Sequence, residues 1–263
     1  MADVRPAVVS CFGGGGAFGI GFNMGVAAGL LDEGIDIRQG PMIGTSSGGY
    51  TVAALAGGIA FEHLADLWTK YTETHGRIWV RTADLTEEIY RDVTAAGIAT
   101  VALTLWRFRR RLLRAEDHPV SDIVAASASP FPFARPHKIG RRRYLDGGMR
   151  RLASADLAPN ADMLLLVTPF CSKQQGFTGK AGLKQSRKEI PRWKESTGGE
   201  VLHIRPPEEI LAMKVSGLKG LSDMHLAAQV FKLARDSGRK SATTLRQDAA
   251  GVVERLENPG APE

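Results

Sequence analysis

The stretch Pro41-Met42-Ile43-Gly44-Thr45-Ser46-Ser47-Gly48-Gly49-Tyr50-Thr51-Val52-Ala53-Ala54-Leu55-Ala56 decides the fold. A short apolar run enters the pentapeptide Gly44–Gly48, which has the form G-x-S-x-G, and a helix-compatible run leaves it. Strand, tight turn and helix in that order hold a serine on a strained bend with its hydroxyl exposed. Small residues flank the serine because larger side chains would collide where the chain reverses. A helix that starts at the serine also offers free amides that favour nearby negative charge. Ser46 is therefore a candidate nucleophile. Gly and Ser are common in turns for conformational reasons alone, and Ser47 is the neighbouring alternative, although no glycine lies two residues before it.

A nucleophilic serine needs a base, usually a histidine oriented by a carboxylate. None of His63, His75, His118, His137, His203 and His225 has an obvious strand-to-loop context after a second motif. His203 falls inside the strand-like Val201–Ile204 and His225 in a helical pattern, which are structural settings. Asp146 differs, because it ends the strand-like Arg143-Tyr144-Leu145 and meets Gly147 and Gly148. Its carboxylate would stand at a strand end beside a backbone able to turn. Asp-Gly-Gly is also an ordinary turn signal.

A third element lies near the N-terminus. Gly13-Gly14-Gly15-Gly16-Ala17-Phe18-Gly19 follows the strand-like Val8–Phe12 and opens a helix-compatible run that Gly34 can end. Unshielded amides in such a loop can bind an anion, which in acyl transfer is the tetrahedral oxyanion. The same loop satisfies G-x-G-x-x-G, with Asp36 downstream near where a ribose-binding acid would stand. A dinucleotide-binding protein is thus a rival for this segment, but it uses neither the Ser46 turn nor Asp146-Gly147-Gly148.

The order glycine loop, G-x-S-x-G, Asp-Gly-Gly resembles the patatin-like phospholipase family. The resemblance covers roughly residues 7–170 and includes Leu30-Leu31-Asp32-Glu33-Gly34-Ile35 and the Ser/Ala-rich Ala126–Phe133. It implies a three-layer α/β fold, with a mostly parallel central sheet covered by helices on both faces. It also implies a Ser–Asp dyad without histidine: Ser46 as nucleophile, Asp146 as base, and the amides around Gly14, Gly15 and Gly16 as the oxyanion hole. Phe18 stands where family members usually carry Arg or Lys, and Met149–Ala153 departs from the usual stretch after Asp-Gly-Gly. The implied activity is hydrolysis of phospholipids or related acyl lipids. The alternatives are a soluble carboxylesterase or thioesterase with the same dyad, and a non-catalytic nucleotide- or lipid-binding protein. No cofactor is implied, and no His/Cys/carboxylate cluster at ligand spacing calls for a metal.

With 263 residues, 43% of them hydrophobic, the chain can bury a full core. The expectation is one domain over 1–263, with a helical closing segment at 221–250 and a frayed tail at 257–263. Strand-like segments fall at 7–12, 41–45, 143–146, 163–168 and 201–204, alternating with helical patterns, and 85–115 reads as helical with a break at Gly97. No apolar run approaches the ~18–20 residues that span a bilayer, and two cysteines are too few for a disulfide framework. A cytoplasmic protein is the default expectation. Net charge is +6, concentrated in the five arginines of 106–114 and in 172–197, whose glycines read as a mobile loop. Arg107, Arg109, Arg110 and Arg111, interleaved with Trp106 and Phe108, suit peripheral contact with an anionic membrane surface. A merely solvated basic face is the plain alternative. Nothing resembles a nucleic-acid module.

Overall fold

A computed structural model describes residues 5–75, 82–213, 215 and 221–257. The central strands are short runs buried on both sides. In β1 (Val8–Phe12), Val8 and Phe12 join one apolar cluster while Val9 and Cys11 join another. In β7 (Met163–Val167), Met163, Leu165 and Val167 face the first cluster, Leu164 and Leu166 the second. Such continuous apolar runs belong to strands covered on both faces.

With β2 (Met42–Thr45), β3 (Ile98–Thr104) and β8 (Glu200–Ile204), these strands form a parallel sheet in the order β3-β2-β1-β7-β8. Beyond β3 the sheet turns antiparallel through β4 (Arg110–Arg114), β6 (Arg142–Asp146) and β5 (His137–Ile139). The first apolar face is covered by α1 (Gly16–Asp32), α2 (Ser47–Ala56), α3 (Phe61–His75), α4 (Thr82–Tyr90), α5 (Val120–Ser127) and a long helix near the C-terminus. The second is covered by the segment around Ala153–Ala161 and by α6 (Gly176–Thr197), whose Trp193 is fully buried. After the short α7 (Glu208–Leu211) come that long helix, α8 (Met224–Asp248), and α9 (Ala250–Glu257). The result is the layered, mostly parallel α/β fold expected from the motifs. Residues 258–263 of the tail expected to fray lie outside the described residues.

The close fit of α1 to α8 has a sequence cause. Gly21, Gly25 and Gly29 recur every fourth residue, and a Cβ on each would lie 2.0–2.5 Å from the carbonyl oxygens of Ala227, Phe231 and Arg235. Backbone therefore packs on backbone, one helical turn at a time.

Two basic segments adopt structures other than those expected. The 85–115 region is not helical throughout: α4 ends at Tyr90, and a β-hairpin of β3 and β4 follows Gly97. Ile98, Thr100, Val101 and Thr104 are β-branched, and β3 is buried along nearly its whole length. A strand with two buried faces loses the period-two signature that separates it from a buried helix. Most of the 172–197 segment is the 22-residue helix Gly176–Thr197 rather than a mobile loop. Its buried residues Gly179, Gly182, Ser186, Glu189 and Trp193 form a stripe at helical spacing. The glycines there serve close packing: a Cβ on Gly182 would lie 1.9 Å from the Phe170 carbonyl oxygen.

Candidate active site

Ser46 lies at the turn from β2 into α2 with φ 54° and ψ −114°. Positive φ is uncommon for a residue with a Cβ, and holding it costs on the order of 1–3 kcal/mol. Three features hold it. The Ser46 carbonyl accepts from the amides of Gly49 (2.8 Å) and Tyr50 (3.3 Å). Its own amide donates to Ser127 Oγ at 2.9 Å, and that hydroxyl donates onward to the Val101 carbonyl at 2.7 Å. Gly48 lets α2 run against β1, since a Cβ there would meet the Phe12 carbonyl oxygen at 2.0 Å.

Asp146 arrives from the antiparallel side of the sheet. On β3, Val101 pairs with Thr45 and the next residue, Ala102, pairs with Asp146. One strand thus brings the end of β2 and the end of β6 to adjacent positions. The Asp146 amide donates to the Ser129 carbonyl at 3.0 Å. Ser46 Oγ donates to Asp146 Oδ2 at 2.7 Å, and the Gly148 amide donates to Oδ1 at 2.6 Å. The carboxyl is buried, and burial pushes its pKa up to about 6 against the opposing pull of those two hydrogen bonds. Near pH 7 it is mostly ionised yet has real proton affinity, which suits a general base.

The glycine loop closes over the serine from β1. The Gly13 carbonyl accepts from Asn23 Nδ2 (2.9 Å) and Ser47 Oγ (3.1 Å), and the Gly14 amide donates to the Leu152 carbonyl at 2.7 Å. The Gly13–Gly14 peptide is therefore held at both ends. The expected set of three oxyanion donors narrows accordingly, because the Gly14 N–H is already engaged. The amides of Gly15 and Gly16, at the start of α1, have no hydrogen-bond acceptor among the described residues. The N-termini of α1 and α2 both converge on Ser46, which favours negative charge there.

A small pocket of about 20 Å³ adjoins Ser46, lined by Gly16, Ile20, Ser47, Tyr50, Trp68 and Ala128, among others. That is room for about one water molecule. Tyr50 and Trp68 are buried, and the Tyr50 hydroxyl and Trp68 Nε1 have no hydrogen-bond partner among the described residues.

The remaining sequence candidates fall elsewhere. Asp36 precedes β2, at the opposite end of the parallel sheet from the glycine loop that follows β1, and caps a turn while paired with Arg38. It does not reach the loop as a ribose-binding acid would. His203 is held at 2.8 Å from Thr168 Oγ1, and burial drives its pKa down to about 4. Cys11 is buried and donates to the Ala153 carbonyl, with burial raising its thiol pKa. Arg110 makes a bidentate pair with Asp156 at 2.6 and 2.7 Å, so it is not a free surface cation. Arg107, Arg109 and Arg111 are exposed on the hairpin beside the exposed Trp106 and Phe108. Ser127 and Asn23 support the site without having been singled out, and Ser47, the alternative nucleophile, spends its hydroxyl on the Gly13 carbonyl. Ser127 lies in the Ser/Ala-rich stretch noted above, yet nothing local to it marks an acceptor for a distant amide.

Among the described residues, no group of three or more His, Cys, Asp or Glu is placed to share a metal ion. Among the same residues, no helix is long and apolar enough to cross a membrane.

No protein-family model matches the chain, and no curated protein sequence is detectably similar to it. Among solved structures, human GIVD cytosolic phospholipase A2 is similar with a TM-score of 0.55 at 12% identity, over 97% of this chain and 61% of that one. VipD from Legionella pneumophila is similar with a TM-score of 0.46 at 10% identity, over 91% of this chain and 67% of that one. At such identity the likeness to the human enzyme is one of fold, and this chain spans about three fifths of that enzyme's chain.

Proposed function

We propose that the protein is a serine acyl hydrolase of the patatin-like type, cleaving ester bonds of phospholipids or related acyl lipids through Ser46 and Asp146. The observation that carries this reading is the 2.7 Å hydrogen bond from a serine on a strained strand-to-helix turn to a buried carboxylate with pKa raised to about 6. Fold likeness to a phospholipase A2 supports it. A fold alone does not carry function.

In this mechanism Asp146 accepts the Ser46 proton as Oγ attacks the acyl carbonyl, and the Gly15 and Gly16 amides receive the oxyanion. One such donor is commonly worth ~3 kcal/mol of barrier. The protonated Asp146 then returns the proton to the departing alkoxide, leaving an acyl-serine. Water, deprotonated by Asp146, attacks that ester and releases the carboxylic acid and free Ser46.

The hairpin tip extends the reading to the lipid surface. Trp106 and Phe108, with Arg107, Arg109 and Arg111, combine apolar insertion with charges worth about 1 kcal/mol each near an anionic bilayer. The surface of α6 adds Lys180, Lys184 and Lys188. Vesicle binding that survives neutralisation of Arg109 and Arg111 unchanged would remove this part of the proposal.

The size of the pocket beside Ser46 favours a second reading, a carboxylesterase or thioesterase for short acyl groups. A chain-length series of aryl esters separates the two, since turnover that peaks at the shortest acyl group supports the second. The decisive experiment for both is labelling with a fluorophosphonate probe. Wild type takes the label and Ser46→Ala does not; an unlabelled wild-type protein would leave a binding protein without chemistry.

A further inference from the structure

A second concavity, of about 650 Å³, opens at the β8 edge of the sheet, between α6, α7 and α8. It shares no lining residue with the pocket at Ser46. Its volume lies within the range of small-molecule sites. Four cations reach it from separate parts of the chain: Lys173 before α6, Arg187 on α6, Arg205 after β8 and Lys240 on α8. Glu208 is the one carboxylate among the described lining residues, and its Oε2 accepts from Gln174 Nε2 at 3.2 Å.

These four converge on one concavity, and none has an ion-pair partner among the described residues. Other cations of neighbouring elements are paired closely. On the same helix α8, Arg235 and Arg239 both bind Asp32, at 2.6 and 2.8 Å. Arg110 binds Asp156, and Lys194 binds Glu200 at 2.7 Å. Four like charges around one concavity repel one another, and an anion placed among them relieves that repulsion. Guanidinium groups present paired donors that match phosphate oxygens. Leu183, Leu202 and Leu211 supply an apolar wall beside the cations, and the volume exceeds what a phosphate group alone would fill.

We propose that this pocket binds a phosphate-bearing organic ligand, with the phosphate among Lys173, Arg187, Arg205 and Lys240 and the organic part against Leu183, Leu202 and Leu211. The proposal does not depend on the activity of Ser46. The phosphate has two possible sources, a soluble phosphomonoester or a phospholipid head group.

The test is calorimetric titration of the full chain with glycerol 3-phosphate at low salt, with glycerol as the neutral control. A parallel arm measures binding to phosphatidylcholine vesicles with and without phosphatidic acid. Binding of glycerol 3-phosphate that weakens about tenfold in Arg187→Gln/Arg205→Gln supports a soluble ligand. Binding confined to phosphatidic acid vesicles, with the same dependence on both arginines, supports a lipid head group. Ser46→Ala should bind as wild type does. Absence of binding in both arms overturns the site, as does undiminished binding by the double variant with its far-ultraviolet circular dichroism intact. Equal weakening by Arg91→Gln, an exposed arginine paired with Glu87 outside the pocket, overturns it too, because only net charge would then matter.

Discussion

Ser46 is placed mainly by its own neighbours in the chain, with one bond from its amide to Ser127, whereas Asp146 is placed by a strand that belongs to neither motif. Gly44, Gly48 and the start of α2 impose the bend at Ser46 within a few residues, so the positive φ follows from local sterics and local hydrogen bonds. Asp146 has local help only from the Gly148 amide. Its approach to Ser46 depends on β3 pairing with β2 in parallel and with β6 antiparallel at the next residue. The proposed nucleophile is therefore set mainly by its local turn, while its proposed base is a product of register. A one-residue slip of β6 would turn Asp146 to the other face of the sheet.

The largest expected effect treats the two halves as equals despite their different origins. Ser46→Ala and Asp146→Asn should each lower kcat by at least ~10⁴-fold, and the double variant should be little worse, because members of a catalytic unit are not additive. Steady-state kinetics on a lipid or aryl ester checks this. Near-normal turnover in Ser46→Ala, with Ser47 intact, would move the nucleophile elsewhere.

Stability separates the two halves. Burial raises the Asp146 pKa to about 6, above the ordinary value near 4, so the folded state holds this proton more tightly than the unfolded chain. The resulting stabilisation is fully present below pH ~4 and is lost as pH rises through 6. Replacing the carboxyl by a neutral amide removes that loss. Urea unfolding should show Asp146→Asn gaining about 2 kcal/mol on wild type between pH 4 and pH 7. The same ionisation predicts that kcat/KM of wild type falls as pH drops below about 6. A stability difference that does not vary with pH would mean that Asp146 is not held as a buried acid.

Two glycines test the two routes of placement directly. A Cβ at Gly48 meets the Phe12 carbonyl at 2.0 Å, and one at Gly147 meets the Val101 carbonyl on β3 at 2.2 Å. Gly48→Ala and Gly147→Ala should each cost about 1–3 kcal/mol of stability, whereas Gly251→Ala, with nothing within 4 Å, should not. Unchanged urea midpoints for the first two would show that neither close approach matters.

The smallest effect joins the routes. Ser127 accepts the Ser46 amide and donates to Val101 on β3, so it ties the local bend to the strand that sets the register. Ser127→Ala should lower kcat about tenfold with KM nearly unchanged, the loss of roughly one net hydrogen bond from the oriented turn. An increase in KM alone would assign Ser127 to substrate binding instead.

The two basic segments show the same division by failing in opposite directions. Residues 106–114 fall within the 85–115 run that reads as helical; they form a hairpin tip and β4. Residues 172–197 read as a loop because of their glycines and lysines; they form α6. In the first case the adjoining β3, buried on both faces, leaves no periodic trace, and β4 itself buries only Leu113. In the second the buried stripe includes Gly179, Gly182 and Ser186, small residues that carry no hydrophobic signal but let the helix approach the backbone closely.

What the sequence by itself determined is what local residue patterns decide over a few residues: the Ser46 turn, the glycine loop entering α1, and the strand-like runs that become β1, β2, β6, β7 and β8 to within a residue of their expected bounds. These features depend on residue size, on glycine's lack of a Cβ and on short apolar or β-branched runs, all of them local. Tertiary structure alone decided the β3 register that sets Asp146 against Ser46, the capture of the Gly14 amide by Leu152, and the pairing of Arg110 with Asp156. It also decided which cations at the β8 edge were left without partners. Each of these joins groups far apart in the chain, and a donor's partner or a cation's counterion exists only once the sheet has brought the distant segment alongside.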